Sequence, residues 1–417
     1  MMRMATLIFS SDARSLRPAA TVCAAAMISL AVAMGIGRFA FTPLFPLMVR
    51  DGSLGNEAGA LLAAGNYFGY LLGALVAGHV RAKPSTILVL GLASTVAVTA
   101  AVGATSSVPV WVSLRFLAGV LSAWTLVATS AWGLEWLAAL GRPHLAGIIF
   151  AGVGIGIAAA GVFCVLGARP HVSAARMWIE LAVLAGAAIL LPLIVSWRMP
   201  APTVETPAKV LRERSHHMAS NALSGTGGLV VCYSLFGFGY ILPATYLPAL
   251  ARQLVDDPHV FGWAWPVFGV AAAASTIVAA WGLRKADRLH VWAASHFLMA
   301  AGVLIPVVWT SLVGIVIAAL LVGGTFMVVT MIAMQEARAR VQENATGVLA
   351  RMTAGFAVGQ LAGPIVSTSL GSLTGNYSAA LNYALELAAV GLIASAVYLW
   401  REAHHRHPKS HKEHRHE

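Results

Sequence analysis

The chain has 417 residues, 59% of them hydrophobic and only 10% charged. Soluble folds carry near 25% charged residues, so a chain this poor in charge has lipid as its natural surroundings. The 27 Lys and Arg outnumber 16 acids to give +11. They sit in short loops between apolar runs, which excludes the continuous basic groove of a nucleic-acid binder.

One crossing takes ~20 apolar residues, so the length accommodates about a dozen. The apolar runs predict an all-α membrane protein with twelve transmembrane helices at 19–48, 57–80, 85–105, 108–138, 145–168, 177–197, 226–250, 260–283, 290–310, 312–335, 346–370 and 378–400. Residues 1–18 form a cytoplasmic N-terminal segment. The apolar run behind Arg3, Arg14 and Arg17 is too long for a signal peptide and has no cleavage site after it, which predicts an uncleaved first helix. The segment 198–224 is the one long polar stretch between spans. Its Pro200, Pro202, Pro207 and paired His216 and His217 read as a flexible cytoplasmic linker. It separates a six-helix bundle at 19–197 from a second at 225–400, and a His-rich cytoplasmic tail follows at 401–417.

Orientation follows from the basic residues. Of the 27, Arg50, Arg169, Arg176 and Arg252 fall on one side, Arg38, Arg115 and Arg351 inside spans, and the remaining 20 on the other side or in the tails. The positive-inside rule then puts both termini in the cytoplasm. Cys23, Cys164 and Cys232 lie far apart in apolar runs and suit neither a disulfide framework nor a zinc site. The tail histidines His404, His405, His407, His411, His414 and His416 have no core to fix a metal geometry, so no metal or cofactor is expected.

The halves repeat each other. Gly35, Gly37 and Pro46 match Gly237, Gly239 and Pro248 at an offset of 202; Gly119 matches Gly323 at 204; Gly152 and Gly156 match Gly355 and Gly359 at 203. Six spans separate the members of each pair, so they cross in the same direction and the repeats are parallel. Two such bundles leave a hollow between them near the membrane midplane.

Several motifs resemble those of the major facilitator transporters. Arg115-Phe116-Leu117-Ala118-Gly119 resembles the family motif in which an Arg precedes a Gly by four. Gly355-x3-Gly359-x3-Gly363-Pro364 resembles its glycine-rich antiporter motif, here in the eleventh span instead of the fifth. The fifth span carries Gly152, Gly154, Gly156 and Gly161 without a Gly-Pro. The loop from Gly73 to Lys83 sits where the family has Gly-x3-Asp-Arg-x-Gly-Arg-Lys, but keeps only the first Gly, the Leu and the trailing charges. The run from Gly35 to Met48, with Arg38, Pro43 and Pro46, resembles a bacterial subgroup. The resemblance implies a monomeric inner-membrane carrier that moves a small-molecule solute by alternating access, powered by a proton, ion or solute gradient.

Candidate residues follow from the cost of polarity in lipid. A charged side chain at a helix centre costs at least ~2.5–3.5 kcal/mol, so Arg38 and Arg115 should face the protein interior or water. Their planar donor forks suit an anionic group. Thr42 shares the face of Arg38, while Asn66, Tyr67, Trp265 and Gln360 are further polar or aromatic candidates for the hollow. Tyr240 is the repeat partner of Arg38, so a cation in one half faces a phenol in the other. That asymmetry suits a solute with one charged and one apolar end. Glu386 and His296 are the candidates for carrying a coupling proton. Gly35, Gly37, Gly119, Gly152, Gly156, Gly237, Gly239, Gly355, Gly359, Gly363 and Pro364 are expected to serve helix packing and gating. An enzyme is disfavoured: the chain holds no His-Glu-x-x-His, no Gly-x-Ser-x-Gly and no nucleotide loop. A sensor or scaffold on the same fold would need a soluble signalling domain, and none is present between the spans.

Overall fold

The computed structural model describes residues 17–52, 54, 56–167, 172–199, 226–254, 262–283, 285–341 and 345–406. The expectations for 1–16, for most of the linker and for the tail from His407 onward lie outside these. Twelve helices run through the described residues: α1 Arg17–Arg50, α2 Asn56–Ala77, α3 Pro84–Gly103, α4 Val108–Ala139, α5 Ala146–Gly167, α6 Ala174–Arg198, α7 Gly227–Leu254, α8 Ala264–Gly282, α9 Arg288–Val308, α10 Leu312–Ala339, α11 Ala345–Thr374 and α12 Tyr377–Arg406. Among the described residues, ten helices are long and apolar enough to cross a membrane. They turn apolar side chains outward, as at Leu90, Val183, Val278 and Val390, which is favourable only against lipid. The other two, α2 and α11, carry Asn66 and Gln360 and pack against one another between the halves. The last helix runs on past the predicted end at 400 to Arg406; His290 there packs edge-on against Trp400, 4.7 Å between ring centres.

The duplication appears in the backbone contacts themselves. A methyl on Gly156 would overlap the carbonyl oxygen of Ala31, and one on Gly359 would overlap that of Ser234; both pairs are offset by 203. Gly152 meets Met27 and Gly355 meets Val230, again 203 apart. Gly119 lies on Asn66 and Gly323 on Phe268. The contacts α1–α5 and α2–α4 of the first half therefore recur as α7–α11 and α8–α10 in the second. Small residues let these helices approach to backbone distance, which is how helices associate where no hydrophobic effect drives them.

Two seams join the halves, α5 against α8 and α2 against α11. Along the first, Gly154 abuts Gly269 and Ala273, Gly161 abuts Pro266, and Gly147 abuts Ala280. Along the second, Tyr70 meets Phe356 edge to face with ring centres 6.3 Å apart. On the face that carries Arg17 and Arg406, Arg288, Glu336, Arg340 and Glu402 link α9, α10 and α12 through ion pairs of 3.1, 3.0 and 3.6 Å. A cavity of about 580 Å³ opens at this face between α5, α8, α9 and α10.

Candidate functional site

The site starts from a break in α1. Residues Ala31–Ile36 form a π turn, with Gly37 N–H donating to Val32 O at 2.8 Å and Phe39 N–H to Met34 O at 3.0 Å. Pro43 then has no N–H for the Phe39 carbonyl, and regular α-helix resumes only at Phe41. The wide turn leaves the carbonyls of Gly37 and Arg38 without helical donors. Arg115 of α4 supplies them: its Nη1 donates to Gly37 O at 3.1 Å and its Nη2 to Arg38 O at 2.7 Å. The Arg115 guanidinium also lies 4.9 Å from the centre of the Phe41 ring. Asn66 of α2 donates from Nδ2 to the Arg115 carbonyl at 3.0 Å, across the close approach that Gly119 permits.

Held this way, Arg38 reaches the middle of the molecule. Its guanidinium carbon sits 3.5 Å from the centre of the Tyr70 ring, a desolvated cation–π contact of the kind worth about 2 kcal/mol. Its Nη2 donates to Oε1 of Gln360 on α11, in the opposite half. Its Nε and Nη1 are buried with no protein partner, as are Nε of Arg115, Nε2 of Gln360, the Tyr240 hydroxyl and Nε1 of Trp265. Apart from the phenol these groups can only donate, while Asn66 Oδ1, also buried without a partner, can only accept. Among the described residues no Asp or Glu touches the two arginines; their titratable neighbours are Tyr67, Tyr70, Tyr233 and Tyr240. Buried donors without acceptors call for an anion or ordered water.

The second half faces this cluster with aromatic rings. Tyr240 stacks on Phe326 with centres 4.2 Å apart, and Trp265 stacks on Phe268 at 5.4 Å. Phe39 of the first half closes one end against Trp265 and Phe326, at 6.4 and 6.2 Å. Toward the face with the termini, Tyr233, Phe236 and Phe356 stack on one another at 5.1–5.3 Å and seal the site from that side. Toward the opposite face the lining is only half-buried, at Thr42, Tyr67, Thr245 and Tyr246.

A profile of the family described as uncharacterised MFS-type transporter YbfB matches residues 30–399. The chain belongs to this major facilitator family. It is therefore a multi-pass membrane transporter and not an enzyme. No curated protein matches the chain in sequence. Among solved structures, the human organic anion transporter MFSD10 (TETRAN) has a similar fold, with a TM-score of 0.66 over 92% of this chain and 99% of that one, at 14% identity. At that identity the likeness concerns the fold alone.

In this major facilitator protein Arg38, Arg115, Asn66, Tyr240, Trp265 and Gln360 converge on one place. Tyr67 lies at its edge beside Thr245, and Thr42, the second residue of the resumed α-helix of α1, lies just beyond it. The two proton-carrying candidates lie elsewhere. Glu386 is on the exposed outer surface of α12, between exposed Tyr383 and Val390. His296 sits behind Phe236, where Trp292 Nε1 donates to its Nε2 at 2.8 Å, leaving Nδ1 to donate to Ser395 Oγ at 2.9 Å. Both ring nitrogens are thus engaged in the neutral form. Among the described residues no group of three His, Cys, Asp or Glu could hold a metal. Sequence reasoning missed Tyr70, Phe326, Phe268 and Phe356. The i, i+3, i+7 spacing of Tyr233, Phe236 and Tyr240 was a readable sign of an aromatic face.

Proposed function

We propose that the protein is a secondary carrier of small organic anions, working as a single chain by alternating access, with both termini in the cytoplasm of a bacterial inner membrane. The supporting observation is the charge balance at the centre: two buried guanidinium groups, several further donors without acceptors and, among the described residues, no carboxylate against them. Burying two cations without an anion is costly, and a carboxylate gripped by a planar fork offsets that cost with strong hydrogen bonds. The rings of Tyr240, Phe326, Phe268 and Trp265 suit the apolar body of the same solute. The half-buried rim at Thr42 and Tyr67 supports access from the face opposite the termini. Rocking the halves about their two seams would expose the site to the other face. The excess of basic residues on the side of the termini supports the orientation.

A thermal-shift comparison of purified protein with benzoate and with its neutral counterpart benzamide tests this reading. Benzoate should stabilise the wild type, benzamide should not, and Arg38→Ala should abolish the benzoate effect. Equal stabilisation of the variant would remove Arg38 from the reading.

A further inference from the structure

We propose that Trp265 selects carboxylates whose apolar body carries a hydrogen-bond-accepting oxygen at the end away from the charge. The inference rests on the organic-anion reading above and narrows the class of solute. Its starting point is the indole N–H of Trp265, the second residue of α8, which is buried at 6% exposure with no protein acceptor. An indole nitrogen can only donate, so its partner has to come from outside the protein.

The other buried indoles show how this protein ordinarily treats that group. Trp111 donates to Val102 O at 2.9 Å, Trp132 to Met199 O at 3.0 Å and Trp292 to His296 Nε2 at 2.8 Å. Half-buried Trp124 and Trp136 likewise donate to the carbonyls of Gly73 and Met199. Among the described buried indoles Trp178 alone shares the lack of a partner, and it packs beside Gly103 where α3 meets α6. Trp265 instead belongs to the wall of rings that faces Arg38.

Phe39 bridges the distance between the cation and the indole. Its ring centre lies 5.4 Å from the guanidinium carbon of Arg38 and 6.4 Å from the centre of Trp265. A solute of one ring, held by its carboxylate at Arg38, therefore reaches the indole with a substituent on its far side. The lining between them offers no acceptor for the indole: Phe268 lies parallel to Trp265 at 5.4 Å, and Phe39 closes the end. The Tyr240 hydroxyl, also unpaired, lies within electrostatic reach of Arg38 and so belongs to the carboxylate end. A wholly apolar tail would leave the Trp265 donor dry and unpaired, whereas a carbonyl or ether oxygen pairs it. Arg38 thus reads the charge of the solute and Trp265 its opposite end.

Calorimetry on the full chain tests this with 4-acetylbenzoate and 4-isopropylbenzoate, which have the same charge and nearly the same shape. A site built to hydrogen-bond a polar atom rejects the analogue lacking it, so wild type should bind the acetyl acid at least about tenfold more tightly. Trp265→Phe should bring that ratio below about three, with the loss falling on the acetyl acid. In wild type labelled with nitrogen-15 at the indoles, one N–H signal should move downfield with 4-acetylbenzoate and stay in place with 4-isopropylbenzoate. That measurement needs no variant and decides the matter if Trp265→Phe fails to fold. Equal affinities in wild type overturn the proposal, as does a preference that survives in folded Trp265→Phe or the absence of any such indole shift. Binding of neither acid to wild type would overturn instead the organic-anion reading beneath it.

Discussion

The two halves share a scaffold and differ in what they line it with. Gly156 on Ala31 and Gly359 on Ser234 are the same contact made twice, and so are Gly152 on Met27 and Gly355 on Val230. At the centre the likeness ends: Arg38 stands where the second half has Tyr240, and the first half's donors face a wall of rings. Duplicated packing is constrained at each backbone approach, because a single added carbon has nowhere to go. A side chain facing the hollow meets only a solute, so it is free to diverge. The difference assigns fold to the shared contacts and selectivity to the unshared ones.

The largest expected effects break the shared part. Gly156→Val and Gly359→Val each push a side chain into a neighbouring helix's main chain. Overpacking costs about 1–3 kcal/mol where side chains can move and more where backbone must. Both variants should lose most of their folded yield and unfold at clearly lower temperature in detergent, to a similar degree. A normal melting curve for either would remove that contact from the scaffold. Next comes Arg115→Ala, which strands the carbonyls of Gly37 and Arg38. Each unsatisfied buried group costs about 1–3 kcal/mol. Arg115→Lys, with one point-like donor group, should recover only part of the lost melting temperature.

Arg38→Ala tests the unshared part directly. Charge-assisted hydrogen bonds contribute about 1.5–3 kcal/mol each, so losing two should weaken benzoate binding at least ~100-fold by calorimetry. Stability should fall far less than in the glycine variants. Arg38→Lys keeps the charge but loses the planar stack on Tyr70 and the two-pronged grip, and should fall between the two. Tyr240→Phe, which removes one hydroxyl from the opposite wall, should change benzoate affinity by about fivefold or less. Tyr240→Ala should lower it further by removing the ring stacked on Phe326.

The same division explains what was legible in the sequence. Spans, repeat and close-packing glycines are periodic or paired along the chain, so Gly35, Gly156, Gly237 and Gly359 could be read from spacing. Arg38 and Arg115 stood out because charge is conspicuous in an apolar run. Their different tasks did not, since Arg115 spends both Nη groups on the main chain of α1 and only Arg38 reaches the other half. That depends on a π turn, which has no side-chain signature. Tyr70, Phe326 and Phe356 were indistinguishable from ordinary lipid-facing or core aromatics until the helices were placed. Thr42 and Tyr67 are half-buried at the rim for the same reason: depth in a hollow between two bundles is not a property of one helix.

Glu386→Gln is expected to have the smallest effect. A carboxylate deep in the last span reads from sequence as a proton carrier, because deep burial would hold it neutral near physiological pH. In the fold, its helix turns it outward beside exposed Tyr383 and Val390, away from the central site. Neutralising it should leave benzoate uptake into vesicles unchanged within about a factor of two, at pH 6 and at pH 8 alike. Stability should stay within about 0.5 kcal/mol of wild type, as for surface substitutions generally. A pH-dependent loss of uptake in this variant would mean that the outer surface of the second half takes part in coupling. The chemical contrast between the halves would then extend beyond the hollow they enclose.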